Sequence, residues 1–348
     1  MIEHNRPWIT PQDRAAVDAV LASGWVAQGT VTEALEAAFV AMHKGGAACA
    51  LSSGTAALSL ALRAASVVAG MSVGVPSYAC SALLNAVHWV GARPVVGDVL
   101  ADRFTLNCGT FQQPVDAVVA VHAFGAPACI AECRKIAPIV IEDCCQSLGG
   151  EIGGRPLGEA GDAAVYSFYA TKIVCGGQGG LVWSPRESLV AGVRDYRQFD
   201  GRKTYDEPRF NLQWTDMQAA LALSQMQRLA LIRQRRNSLA QRYREAMPAG
   251  MAYQDGLLES GRMPQRYVVV APEQGMRDAL ARHMESAGVR CIVPVERFEL
   301  LHRYLGLDPQ RFPVAERLAD TTLSLPLYPA LTEAQADQVC EALRGFRP

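Results

Sequence analysis

Residues 47–66 read AACALSSGTAALSLALRAAS, and the fold follows from how that stretch divides. Ala47–Leu51 is a short, wholly apolar run of strand length. Ser52-Ser53-Gly54 is a small-residue turn, and residues 54–66 are rich in Ala and Leu, which favour a helix. The same alternation continues. Residues 72–75, 94–99, 117–121, 139–141, 163–168 and 181–183 are further apolar runs of strand length, and 81–90 reads as a helix. Short runs that are apolar throughout, separated by helices, belong to a parallel or mixed sheet covered on both faces. The expected class is therefore α/β.

Working outward, residues 11–22 and 31–43 read as helices. Pro11 suits a first-turn position, and Thr30 followed by Glu33 suggests a capping box for the second helix. Residues 186–198 read as a helix and 200–210, with Gly201, Lys203 and Pro208, as a loop. Residues 215–247 hold no Pro or Gly and predict one long helix, with Arg233, Arg235 and Arg236 on a solvated face. Beyond them, strands at 266–270 and 289–292 and helices at 276–287, 314–321 and 332–343 predict a smaller α/β domain. Pro248 and Gly250 interrupt the pattern, so the expected domains are 1–247 and 248–348.

The chain has 348 residues, of which 50% are hydrophobic and 19% charged, and this excludes a disordered polymer. A formal net charge of −1 gives no basic excess for nucleic acid or a membrane surface. No apolar run reaches the roughly 18 residues of a membrane span. The polar start, with Glu3, His4, Asn5 and Arg6, does not read as a signal peptide. The ten cysteines form no CxxC pair and the histidines do not cluster with them. They read as reduced thiols of a cytoplasmic protein, and no metal site is expected.

Three segments carry chemistry. Ser52-Ser53-Gly54-Thr55-Ala56-Ala57 joins a strand to a helix, where free N–H groups and the helix dipole suit a phosphate. The same residues also suit a plain helix cap. Val140-Ile141-Glu142-Asp143 is an apolar strand ending in two acids, and ligands of open α/β sheets sit at the carboxyl ends of strands. Asp143 either faces a ligand there or caps the next turn. Lys172 follows the run ending at Phe168 and precedes Gly176-Gly177-Gln178-Gly179-Gly180, a crowded turn. It is either a Schiff-base amine or an exposed loop lysine. Together, a phosphate cradle, a carboxylate and an amine are what pyridoxal 5′-phosphate (PLP) requires. The amine bonds the cofactor, the carboxylate keeps the ring nitrogen protonated, and the cradle holds the phosphate.

The ordered marks Ser53-Gly54-Thr55-Ala56-Ala57-Leu58, Val75-Pro76-Ser77-Tyr78, Gly91-Ala92-Arg93-Pro94-Val95, Val121-His122-Ala123-Phe124-Gly125, Ile141-Glu142-Asp143, Ser167-Phe168, Lys172, Asn211, Asp216 and Leu325-Pro326-Leu327-Tyr328-Pro329 cover nearly the whole chain. By these marks the chain resembles the DegT/StrS-type PLP-dependent sugar-nucleotide aminotransferases. The resemblance implies a three-layer α/β/α PLP-dependent transferase fold of type I with a smaller C-terminal domain. It implies Lys172 as the Schiff-base residue and proton carrier, with Asp143 as partner of the pyridinium. Gln146 would lie against the ring oxygen, and Gly54, Thr55 and Ser167 would hold the phosphate. Asn211 would reach the phosphate site of a neighbouring subunit, so a homodimer with shared active sites is implied. The substrate would be a keto group on a nucleotide-linked deoxysugar, with glutamate as donor. The alternatives are a sugar dehydratase of the same fold, against which Lys172 argues because those carry histidine there, and a non-catalytic regulatory protein. Three departures stand out. Cys80 replaces an aromatic that stacks on the cofactor ring, Gln213 replaces an arginine, and residues 292–297 lack a histidine.

Overall fold

Five parallel strands form most of the central sheet: β1 (Ala47–Leu51) apart, they are β2 (Ser72–Pro76), β3 (Arg93–Gly97), β4 (Ala117–Val121), β5 (Ile139–Asp143) and, after a small hairpin of β6 (Glu151–Ile152) and β7 (Arg155–Pro156), β8 (Ala163–Ser167). The return strand β9 (Gly180–Ser184) runs antiparallel to both β8 and β1. The seven strands lie in the order β1-β9-β8-β5-β4-β2-β3. This is the mixed α/β sheet that the apolar runs predict. The computed structural model describes residues 1–254 and 261–347.

Helices cover both faces. On one side α3 (Gly54–Ala64) and α4 (Ala82–Trp89) bury Leu58, Leu62, Leu83 and Val87 against Val119, Ile141 and Val165. On the other, α2 (Thr30–Met42) and α7 (Asp216–Met226) bury Leu35, Phe39 and Ala219 against Ala164 and Tyr166. Alternate residues of β8 thus enter opposite clusters, as the strand period requires. α5 (Ile130–Ile136) packs near β4 and β5, and α6 (Glu187–Arg197) follows β9. A second sheet of β10 (Ala252–Tyr253), β11 (Tyr267–Val270) and β12 (Thr322–Leu325) is covered by α8 (Leu229–Glu245), α9 (Gln274–Ser286) and α12 (Glu333–Gly345). Between them, α10 (Leu301–Tyr304) and α11 (Pro313–Thr321) pack Leu301, Ala315 and Leu318 into the central-sheet cluster. Among the described residues no helix is long and apolar enough to cross a membrane.

Four local expectations change. α1 (Pro11–Ser23) has the capping box, Thr10 with Asp13, and carries Pro11 in its first turn. α2 has none: its N-cap is Gly29, and Asp216 caps it from another helix. A buried carboxylate reaching three amides displaces the local Thr30–Glu33 arrangement. The long helix is two, α7 and α8, broken at Gln227-Arg228. There Arg228 turns to the buried Asp13, at 2.6 and 2.8 Å. The basic run is not a solvated face. Arg236 is buried and donates to the carbonyls of Gln265 and Leu327, and Arg233 pairs with Glu151. Residues 289–292 form no strand, only single bridges from Val289 to Ile2 and from Ile292 to Ser324.

Candidate active site

The carboxyl ends of β4, β5 and β8 and the N-terminus of α3 open into one cavity of about 430 Å³. Gly54, Thr55 and Ser167 line one part of it, and Asp143, Gln146, Lys172 and Cys80 line the rest. β9 enters this region at its start, because it runs against its neighbours. A Cβ on Gly180 would fall on the Ser53 carbonyl, and one on Gly179 would fall on the Trp214 ring. The glycine-rich stretch is what lets the chain turn here.

Along β5 the two acids separate. Glu142 is buried behind the sheet, where it accepts from the amides of Gly158, Ala160 and Gly161 and from His122. His122 Nδ1 accepts the Ala128 N–H, so Nε2 carries the proton and donates to Glu142 at 2.9 Å. Burial pushes the Glu142 carboxyl up, but the His122 hydrogen bond and the amides outweigh it and hold it below its ordinary value. Asp143, one residue on, lines the cavity. Its Oδ1 accepts the Cys145 N–H at 2.9 Å, which fixes the rotamer and leaves Oδ2 available.

Gln146 is oriented by its own acceptor. Phe124 N–H can only donate, and Gln146 Oε1 takes it at 2.7 Å, so the amide NH₂ is the part left for a ligand. Phe124 holds a left-handed backbone (φ 53°) at this point. Between Asp143 and Gln146, burial pushes the Cys145 thiol well up; Asp143 adds to the rise and Lys172 opposes it.

Lys172 is half-buried on a loop tied at both ends. The carbonyl before it, that of Thr171, accepts from Asn5 and Gln265. Three residues on, Cys175 exchanges two hydrogen bonds with the Gln225 side chain. No hydrogen bond or ion pair is made by its amine among the described residues.

The cradle is built at α3. Ser53 Oγ accepts Ala56 N–H and its carbonyl accepts Ala57 N–H, so the amides of Gly54 and Thr55 stand at the open end of the helix. A Cβ on Gly54 would lie 3.0 Å from Ser167 Cβ and 3.2 Å from its Oγ. Glycine there lets backbone amides and a hydroxyl converge on one point, as a phosphate needs. With the Lys172 amine, a free Asp143 oxygen and the Gln146 NH₂, these residues fit PLP.

Asn211 lies outside this cavity: it is exposed, and its Oδ1 accepts Gln213 N–H. Of two further wall residues, Tyr78 and Arg266, only Tyr78 has a sequence signal, its place two residues before Cys80. Tyr78 is buried, with its hydroxyl 2.8 Å from Thr322 Oγ1. Arg266 reaches the cavity from the edge of the second sheet, and nothing in the sequence near it marks a site. An open groove of about 660 Å³ between α1 and α7 holds none of the chemistry-bearing residues.

A sheet of this order with an amine, a carboxylate and an anion cradle at its carboxyl edge defines a PLP-dependent transferase. The chain belongs to the DegT/DnrJ/EryC1/StrS aminotransferase family, whose profile matches residues 7–344. It is similar to DesV from S. venezuelae (29% identity, 95% of this chain and 93% of that one, TM-score 0.85). It is similar also to the sugar aminotransferase CalS13 from Micromonospora echinospora (25%, 99% and 100%, TM-score 0.87). Spr1654 from Streptococcus pneumoniae, in its PLP form, shares the fold (23%, 99% and 97%, TM-score 0.90). The chain is thus a PLP-dependent aminotransferase. When bound, PLP supplies an electron-withdrawing ring that stabilises negative charge on the carbon beside the transferred nitrogen.

Proposed function

We propose that the protein moves an amino group from an amino acid, glutamate being the donor favoured, to a keto group on a nucleotide-linked deoxysugar. The observation that carries this is the single cavity shared by Lys172, Asp143 and the Gly54–Thr55–Ser167 cradle. In this reading Lys172 bonds the cofactor and carries a proton at Nζ between the substrate carbon and the cofactor. Asp143 Oδ2 holds the proton of the ring nitrogen, while Cys145 N–H keeps that carboxylate in place. Gln146 NH₂ donates to the ring oxygen, and the α3 amides with Thr55 and Ser167 hold the phosphate. The sugar acceptor is supported by the likeness to CalS13. A cytoplasmic homodimer completes the reading. Asn211 follows a loop on which Tyr205 is 84% and Phe210 54% exposed, large apolar surface that a second subunit would cover.

Borohydride reduction of the holoenzyme followed by peptide mass spectrometry tests the site: the cofactor should be trapped on Lys172 and on no other lysine. Nucleotide-linked keto-sugars screened for single turnover of the aminated cofactor test the acceptor. A panel in which free keto acids react and no keto-sugar does would overturn it. Mixing inactive Lys172→Ala and Asn211→Ala proteins tests the shared site. Partial recovery of activity is expected, and none after verified subunit exchange refutes sharing.

A further inference from the structure

We propose that Arg266 holds the α-carboxylate of the amino donor, so that the site selects α-amino acids over simple amines. This rests on the aminotransferase reading above. Arg266 lies one residue before β11, and its side chain lines the same cavity as Lys172 and Asp143. Its Nη1 is buried with no hydrogen-bond partner, and its guanidinium makes no ion pair among the described residues. Its guanidinium carbon lies over the Phe124 ring, 5.6 Å from the ring centre. A guanidinium taken out of water with a donor unpaired and no carboxylate in contact is costly, and an anionic ligand relieves that. Burial accordingly pulls the guanidinium below its ordinary value, with Tyr78 and Glu299 opposing.

The neighbouring residue puts this cation beside the reacting amine. Gln265 N–H donates to the Phe124 carbonyl at 3.0 Å, and its Nε2 donates to the carbonyl of Thr171, just before Lys172. Arg236 Nη1 holds the Gln265 carbonyl from behind. Arg266 is thereby tied to the loop that carries Lys172. In an α-amino acid the carboxylate is one bond from the carbon that bears the transferred nitrogen, so an anion site next to the amine suits it. The phosphate cradle is a separate construction of α3 amides and hydroxyls.

The chemistry also favours a carboxylate over a diphosphate. Glu299 lines the same cavity, and its Oε2 is occupied by Glu296 N–H at 2.8 Å. Its negative charge repels a multiply charged diphosphate more than a single carboxylate. A planar carboxylate needs only the guanidinium fork.

The test compares wild-type, Arg266→Gln and Arg266→Lys holoenzymes. Calorimetry measures binding of glutarate, a dicarboxylate that cannot react, and of a nucleoside diphosphate. A glutarate dissociation constant raised at least about tenfold in Arg266→Gln is expected, since a hydrogen-bonded charge pair is lost. Nucleoside diphosphate binding should stay within about twofold. Unchanged glutarate binding, absent glutarate binding in the wild type, or a loss that falls on the nucleoside diphosphate would each overturn the proposal. Should Arg266→Gln lose its cofactor, Arg266→Lys keeps the charge without the fork, and wild-type glutarate affinity in that variant overturns it. The two readings fail separately. Wild-type enzyme whose cofactor absorbance glutamate does not change refutes the transaminase reading. Wild-type enzyme that responds, beside an Arg266→Gln enzyme half-saturated at the same glutamate concentration, refutes only the role of Arg266.

Discussion

Removing Asp216 should cost the fold several buried hydrogen bonds at once. It is buried at the start of α7 and caps α2 from outside. Oδ1 accepts Gly29 N–H at 2.8 Å, Thr32 N–H at 2.9 Å and the Thr32 hydroxyl at 2.6 Å, and Oδ2 accepts Val31 N–H at 3.1 Å. Asp216→Ala leaves three amides of one helix end without their acceptor. At about 1 kcal/mol for each, the loss is about 3 kcal/mol, above the range of an ordinary exposed cap. Asp216→Asn keeps the Oδ1 acceptor for Gly29 and Thr32 but sets an NH₂ group against Val31 N–H, so its loss should be about half as large. Urea unfolding of cofactor-saturated protein measures both, and the cofactor absorbance should be unchanged, because Asp216 does not line the Lys172 cavity. An alanine variant that loses less than about 1 kcal/mol, or an asparagine variant as weak as alanine, would refute the capping role.

Asp143→Asn keeps the shape of the side chain and its Cys145 contact but cannot hold the ring proton. Turnover should fall by well over tenfold with the cofactor still bound, and a loss below that, about 1.4 kcal/mol, is too small for the role. Glu142 gives a pH prediction. Its carboxyl is held below the ordinary value of 4.5 in the fold, so its contribution is present above that pH and fades as pH falls through the folded value. The stability gap between wild type and Glu142→Gln should therefore be widest near neutrality and narrow below pH 4.5; a gap that is flat with pH sinks the assignment. Cys80 is exposed at the cavity, where a thiol covers little of a ring. Cys80→Phe should slow cofactor dissociation by about three- to tenfold, the worth of one aromatic contact, and an unchanged rate refutes a vacant stacking place.

What the sequence discloses follows from the range of the physics behind it. The strands were legible because each is a short apolar run and the runs alternate with helices, the pattern of a sheet covered on both sides, and all seven appear. The places of Asp143 at a strand end and Gly54 at a helix start were legible because those are local features, whereas Ser167 was pointed to only by the family resemblance. Asp216 capping α2, Arg228 reaching Asp13 and Arg236 sinking into three carbonyls of two segments were not, since each pairs residues distant in sequence. Local propensity favoured an uninterrupted helix through residue 228 and a solvated Arg236, and long-range pairing overrode both. Arg266 was hidden for the same reason. Only folding sets the start of β11 against the loop of Lys172.

The pair Glu142-Asp143 shows how such long-range pairing divides labour between neighbours of identical charge. Strand alternation sends the two carboxylates to opposite faces. The one behind the sheet meets three amides and a histidine whose tautomer is fixed by Ala128 N–H. Its oxygens are spent on His122 and on holding the turn after β7 to the sheet. The one in front meets a single amide and keeps an oxygen free. Exchanging the two residue types in a variant, Glu142→Asp with Asp143→Glu, would shorten the structural acid and lengthen the cavity one by a methylene each. The amides at residues 158–161 would then lie beyond the shorter side chain, and the longer carboxylate would crowd the cavity. Loss of both stability and turnover is the expected outcome. Wild-type stability in this double variant would mean that Glu142 holds nothing together, and the division of labour would fall with it.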